Sequence, residues 1–209
     1  MIASKNISYS YDGNQILTFP DINCSAGEQS LLLGQSGTGK TTLLHLLGGL
    51  LKPKSGEILI DGNNIANMSN EQLDKFRGQN IGIIFQKTHF LNALNVEENL
   101  VLAQNLAGLK TNKSLIENVL QRLNVGHKLN AKTSELSQGE QQRVAIARAL
   151  VVEPKVILAD EPTSALDDKN CDEVIQLLEQ QAEIANAALL IVTHDNRLKS
   201  KFNKQVILE

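Results

Sequence analysis

The sequence predicts an α/β fold, one domain over residues 1–209 with an all-helical segment inserted into it, and three observations carry that expectation. The apolar run Leu31-Leu32-Leu33 enters a glycine-rich loop and then the helical pattern Leu43, Leu44, Leu46, Leu47. Apolar strand patterns return at 155–159, 188–193 and 205–208, with a helical pattern between the first two. Between residues 96 and 152 the helical period runs on without a strand signal.

Taken in order, residues 1–33 read as short strands, Ile2 to Tyr11, Gln15 to Cys24 and Glu28 to Leu33. Asp12-Gly13-Asn14, a hairpin signal, and Ala26-Gly27 separate them. After the first helix, Lys52-Pro53-Lys54-Ser55-Gly56 breaks the chain, Glu57 to Ile60 is a strand, and Asp61-Gly62-Asn63 turns it. Ser69 and Gln72 form a capping box for a short helix through Phe76. Asn80 to Phe85 is a buried strand by its apolar continuity, and it ends on Gln86, a polar side chain at a strand end and so a candidate site residue. The insert holds helices from Val96 to Ala107, Ser114 to Leu123 and Gly139 to Val152. A strand at Lys155 to Ala159, a helix at Asp168 to Ala185, and strands at Ala188 to Thr193 and Gln205 to Leu208 complete the chain. The α/β core is therefore expected at 1–86 and 153–209, and the helical segment at 87–152.

Composition excludes several classes. A chain of 209 residues buries roughly 70% of its unfolded surface and needs no disulfides. Cys24 and Cys171 lack metal-type spacing and read as reduced thiols in a reducing compartment. A net charge of −3 and 3% aromatic residues disfavour nucleic acid as a main partner. The start Met1 to Asn6 lacks a signal-peptide apolar core, and the apolar runs at 43–51 and 187–192 are too short to span a bilayer. A soluble chain is expected, with any membrane role carried by a partner.

The loop Gly34-Gln35-Ser36-Gly37-Thr38-Gly39-Lys40-Thr41, continued by Thr42, has the spacing of a phosphate cradle. Its glycines let backbone N–H groups turn inward, and the helix start adds its positive dipole end. Lys40 is expected to reach the β and γ phosphates and Thr41 to place its hydroxyl on Mg²⁺. The helix terminus contributes about 0.3–1 kcal/mol toward an anion, so lysine and metal must supply much of the rest.

Val156 to Ala159 ends in Asp160 and Glu161, carboxylates at the edge where open α/β sheets bind ligands. Asp160 suits a Mg²⁺ ligand, and Glu161 a base or orienting group for attacking water. A solvated acidic turn is the plainer account of one acid, less so of a pair accompanying a phosphate loop. Ser137 and Glu140 form a capping box, a complete structural explanation, although Ser137, the Gly139 backbone and the helix start would also bind phosphate. Tyr11 is either a half-buried strand aromatic or a stacking surface for a base.

These residues together resemble the ATP-binding subunit of an ABC transporter, over Tyr11 to His194. The matching parts are the loop at 34–41, Gln86 after Ile-Gly-Ile-Ile-Phe, Leu-Ser-Gln-Gly-Glu at 136–140, Asp160-Glu161, Ser164-Ala165-Leu166-Asp167 and Thr193-His194-Asp195. The resemblance implies a P-loop NTPase core with an antiparallel β subdomain and a helical subdomain. It also implies ATP and Mg²⁺ as ligands and a head-to-tail dimer in which each ATP lies between the loop of one copy and the signature of the other. Tyr11 then becomes a base contact, and His194 contacts the γ-phosphate. Asp167 crosses the dimer interface, and Gln86 senses Mg²⁺ and the attacking water while contacting the helical insert. His45, His89 and His127 match no such position. Gln138 stands where the family signature has its first glycine, and Glu140 where glutamine is common.

Within the family, the short length, the absence of a carboxyl-terminal regulatory domain, Phe85-Gln86-Lys87 and Leu136 to Leu150 are most similar to the lipoprotein-release and macrolide-export group. The implied role is to power a separate transmembrane subunit from the cytoplasmic face of the inner membrane. A cell-division-type relative that signals through a membrane partner without moving a substrate is the alternative. A soluble ATPase of DNA repair or translation is disfavoured by the compact single cassette.

Overall fold

The computed structural model describes residues 1–13, 15–164 and 168–208, the side chains of 168–170 excepted. Among them the strands are β1 (Ile2–Tyr9), β2 (Leu17–Thr18), β3 (Ile22–Cys24), β4 (Gln29–Gly34), β5 (Ser55–Ile60), β6 (Asn63–Asn64), β7 (Ile81–Ile84), β8 (Val156–Asp160), β9 (Ala188–Thr193) and β10 (Gln205–Leu208). The α-helices are α1 (Lys40–Leu47), α2 (Asn70–Asn80), α3 (Val96–Leu106), α4 (Lys113–Arg122), α5 (Gln138–Leu150) and α6 (Asp168–Ile184).

Two sheets form. An antiparallel one has the order β2-β1-β5-β6, with β3 also on β1, and a parallel one has the order β10-β4-β9-β8-β7. The inner parallel strands β4, β9 and β8 are buried on both faces, which is why they read as continuous apolar runs, whereas edge strand β10 leaves Gln205 and Ile207 exposed. In β4, Leu31 and Leu33 enter one core while Leu32 enters the other; in β9, Leu189 and Ile191 oppose Leu190 and Val192 in the same way. One core joins the parallel sheet to α3–α6, and the other joins it to α1 and the antiparallel sheet.

Parallel register carries the site. Leu33 pairs with Thr193, Asp160 with Val192, and Ile84 with Ala159, so β4, β9, β8 and β7 end together at one edge. Past those ends come Gln35 onward, His194, Glu161 and, one residue beyond Phe85, Gln86.

Three expectations shift. The run Gln15 to Cys24 is divided into β2 and β3, because Pro20 has no N–H to continue a ladder. Asn63, read as a turn residue, pairs with Ile60 in β6, and Asn14 of the hairpin signal lies outside the described residues. The helix after Ser69 runs four residues past Phe76, to Asn80.

The segment between β7 and β8 carries α3, α4 and α5, with capping boxes at Asn95/Glu98 and Ser137/Glu140 and an Asn112 cap on α4. Helix α5 leaves this group to pack on β7, where a Cβ on Gly82 would lie 2.7 Å from the Ala149 carbonyl oxygen. Only glycine permits that approach.

Candidate functional site

Helix α1 opens differently from α2–α5. Its N-cap is Gly39, at φ 89°, with no side-chain cap, so the first-turn N–H groups keep their capacity to bind an anion. Gly37 is also left-handed, at φ 86°. A Cβ on Gly39 would sit 3.3 Å from the Phe19 ring, and one on Gly34 would sit 2.6 Å from the Thr38 hydroxyl. Lys40 begins the helix, only 7% exposed, and its Nζ donates to the carbonyls of Gly34 (2.9 Å) and Gln35 (2.8 Å). The ammonium thus closes the loop on itself. Gln35, Ser36, Thr38 and His194 share a cavity of about 740 Å³.

Tyr11 leaves β1 with 68% of its surface exposed. Tyr9 meets its ring edge-on at 4.9 Å, and its hydroxyl lies 2.9 Å from the Thr42 hydroxyl, fixing an open aromatic face beside the loop. Ring and cradle are therefore joined through Thr42.

Asp160 is 5% exposed and its Oδ1 has no hydrogen-bond partner. Burial raises its carboxyl pKa, the Thr41 side chain pulls it back, and the Glu161 charge raises it further. Among the described residues no three His, Cys, Asp or Glu side chains form a cage. A buried carboxylate oxygen beside a threonine hydroxyl is instead the hard-oxygen partial set that Mg²⁺ uses when phosphates complete its shell.

Glu161, 9% exposed and at φ 48°, is held by the end of β9. Its Oε2 accepts from the Thr193 hydroxyl at 2.7 Å; its Oε1 accepts from the His194 N–H at 3.1 Å and lies 2.7 Å from His194 Nδ1. The Gln86 amide donates to the Ser164 hydroxyl at 3.4 Å, and Gln86, Ser164 and Glu161 line a cleft of about 230 Å³ that faces Gln138, Gln141 and Gln142 of α5.

The structure therefore gathers Tyr11, 34–42, Asp160, Glu161, His194 and Gln86. It does not join the signature to the loop: the hydrogen bonds and ion pairs of Ser137 and Glu140 stay within their own end of the helical segment. Ser137 accepts from the Glu140 N–H at 3.3 Å, and Glu140 accepts from the Ser137 N–H at 2.8 Å and faces Lys128 at 3.3 Å. The Ser137 N–H, followed by Lys128, pulls the Glu140 carboxyl down to about 2. A Cβ on Gly139 would meet nothing within 4 Å. Asp167, with Ala165 and Leu166, lies outside the described residues.

Sequence reasoning gave no individual role to Thr193, Ser164, Phe19, Gln142 or Arg148. Thr193 carried the same signal as Asp160, a polar residue at the end of an apolar strand. Phe19 and Gln142 are recognisable only by what they touch.

With that geometry in view, the comparisons converge. Residues 18–164 match the family model described as ABC transporter. The chain is 38% identical over 197 residues to the lipoprotein-releasing system ATP-binding protein LolD of Shewanella frigidimarina, covering 93% of this chain and 82% of that one. It is 37% identical to LolD of Idiomarina loihiensis, covering 100% and 94%. The dimeric structure of MJ0796, a bacterial ABC transporter cassette, superposes with a TM-score of 0.88 at 33% identity, covering 100% of this chain and 94% of that one. A post-hydrolysis dimer of MJ0796 bound to ADP and Pi gives 0.87 at 33% identity, with the same coverage. No helix among the described residues is long and apolar enough to cross a membrane. A cradle at an uncapped helix, acids at adjacent strand ends and a matching family model have one common explanation: this chain belongs to the ABC transporter family, as an ATP-binding, ATP-hydrolysing cassette.

Proposed function

We propose that the chain hydrolyses Mg-ATP as one of two copies bridged head to tail, and so powers a separate membrane-spanning chain that releases lipoproteins, from the cytoplasmic face of the inner membrane. The observation that carries the reading is the gathering, at one sheet edge, of an uncapped helix start, the partnerless Asp160 oxygen and the Glu161–His194 pair. The LolD relatives support the lipoprotein cargo, and the dimeric cassettes support the pairing of copies.

In this reading the backbone N–H groups of 34–42 cradle the phosphates, and Lys40 exchanges two carbonyl oxygens for β and γ phosphate oxygens. Tyr11 stacks on the base. Thr41, Asp160 and Gln86 hold Mg²⁺, directly or through water, and the ion when bound neutralises charge on the triphosphate. Glu161 orients the attacking water and accepts its proton as the bond from phosphorus to the ADP oxygen breaks. His194, steadied by Glu161, faces the γ-phosphate.

Ser137, Gly139 and Glu140 of the second copy close the site, and Asp167 crosses between copies. Gly139 supports this. Neither a left-handed φ nor a neighbour among the described residues calls for glycine there, whereas close approach by another molecule does.

Sedimentation of the purified chain with and without Mg-ATP, alongside ATPase assays, tests the proposal. A nucleotide-dependent shift from monomer to dimer with turnover is expected. Absence of turnover, or a dimer indifferent to nucleotide, contradicts it.

A further inference from the structure

Arg148 lies near the end of α5, half-buried, and burial lowers its pKa with no acidic side chain among the described residues offsetting the cost. Its two terminal nitrogens are spent on backbone. One donates to the Thr88 carbonyl at 2.6 Å and the other to the His89 carbonyl at 3.0 Å, while the guanidinium carbon stands 5.1 Å over the Phe90 ring. These three residues form an irregular segment separated from Gln86 by Lys87 alone. His89 is left-handed, at φ 47°, and its ring meets Phe85 edge-on at 5.8 Å. Among the described residues the Gln86 side chain has only the 3.4 Å bond to Ser164.

We propose that Arg148 is a positioning residue for Gln86: it fastens 88–90 to α5, so that a movement of α5 carries Gln86 with it. This rests on the reading of Gln86 as part of the nucleotide site. The signature stands at the other end of the same helix, so α5 becomes a lever with a nucleotide contact at its start and the Gln86 segment at its end.

The planar fork of arginine suits the task, because it holds two successive carbonyls at once and stacks on the next side chain, which a lysine cannot do. A second donor waits on the same helix. Gln142 Nε2 is buried without an acceptor in the cleft that Gln86, Lys87 and Thr88 line. An unsatisfied buried amide is unfavourable, so movement of the segment toward α5 offers it an acceptor.

Amide exchange over 86–90 and steady-state ATPase kinetics test the proposal in the full chain and in Arg148→Met, Arg148→Lys, Gln86→Ala and the Arg148→Met/Gln86→Ala pair. Arg148→Met is expected to speed exchange at 88–90 at least about tenfold, with α1 and α6 as protected as in the parent. It lowers kcat about tenfold and leaves KM for ATP within about threefold. Once Gln86 is truncated, Arg148→Met costs nothing further in kcat, because the two act in series. Arg148→Lys falls between, and it carries the same readouts if Arg148→Met fails to fold.

Parental exchange at 88–90 in the Arg148 variants overturns the fastening. A kcat loss that adds in full to that of Gln86→Ala overturns the coupling. Parental turnover in Gln86→Ala removes Gln86 from the nucleotide site and the coupling with it, while the exchange measurement reads the fastening independently.

Discussion

Glu161 and His194, 33 residues apart, grip one another across the ends of β8 and β9, with the Glu161 carboxylate 2.7 Å from His194 Nδ1 and bonded to the His194 N–H at 3.1 Å. The Thr193 hydroxyl takes the other oxygen at 2.7 Å. A left-handed backbone at Glu161 costs of order 1 kcal/mol and aims the side chain at these donors. The carboxylate is thereby oriented before any ligand arrives, which is the condition for proximity to lower a barrier.

Glu161→Gln keeps size and one acceptor but removes the base. The loss falls on the chemical step and not on ATP affinity, so turnover drops at least about 10²-fold. ATP still bridges the copies and is not consumed, and gel filtration with Mg-ATP is expected to show a peak of double mass. Turnover near the parent rate would remove Glu161 from the reaction.

Gly139→Ala separates the chain's own stability from assembly. Beyond its own helix turn the added Cβ meets no atom of the described residues within 4 Å, and alanine is the better helix former, so the melting free energy stays unchanged or rises by up to about 1 kcal/mol. ATP-dependent dimerisation, measured by sedimentation, is expected to weaken. An unaffected dimer would detach Gly139 from the interface.

Asp160→Asn removes a buried charge whose Oδ1 has no partner. Relief of about 1 kcal/mol raises the melting temperature of the nucleotide-free chain by roughly 2–4 °C. The extra stabilisation that Mg²⁺ adds to ATP should vanish, so that ATP with Mg²⁺ and ATP with a chelator give the same melting temperature. A persistent metal-dependent shift places the ion elsewhere.

Asp195, next to His194, provides a pH test that is read on folding and not on turnover. Arg197 holds its carboxyl below the usual range, aided by the Arg197 N–H and by the Thr163 hydroxyl at 3.1 Å. The folded value is depressed, so the stabilisation is fully present above the unfolded value near 3.9 and is lost as pH falls through the folded one. Asp195→Asn is therefore expected to cost about 1 kcal/mol at neutral pH, with the gap to the parent closing below about pH 4. Urea unfolding across that range measures it, and a gap that widens in acid would contradict the sign.

Much of the fold was legible because its signals are local. The limits of β9 and β10 coincide with the apolar runs 188–193 and 205–208. Ser69/Gln72 and Ser137/Glu140 form their capping boxes with partners only three residues away. Where neighbours came from afar, the reading missed. Two-residue β6 exists only because β5 is there to pair with it, and Lys40, expected as a loop residue, opens α1 and folds back on Gly34 and Gln35.

The sequence by itself determined the chemistry on offer: a glycine-spaced cradle with its lysine, two acids closing an apolar strand, a capped signature and a histidine at a strand end. Spacing and residue type decide these, since each depends on atoms within about one turn of helix or one strand. Tertiary structure alone decided which of them meet. Parallel register brings four strand ends to one edge, Glu161 finds His194 and Thr193, Gln86 finds Ser164, and Arg148 finds the carbonyls beyond Gln86. Such pairings depend on how buried faces stack around two cores, and no local pattern encodes that stacking, because the same alternation of apolar residues fits many registers until the helices and sheets close upon one another.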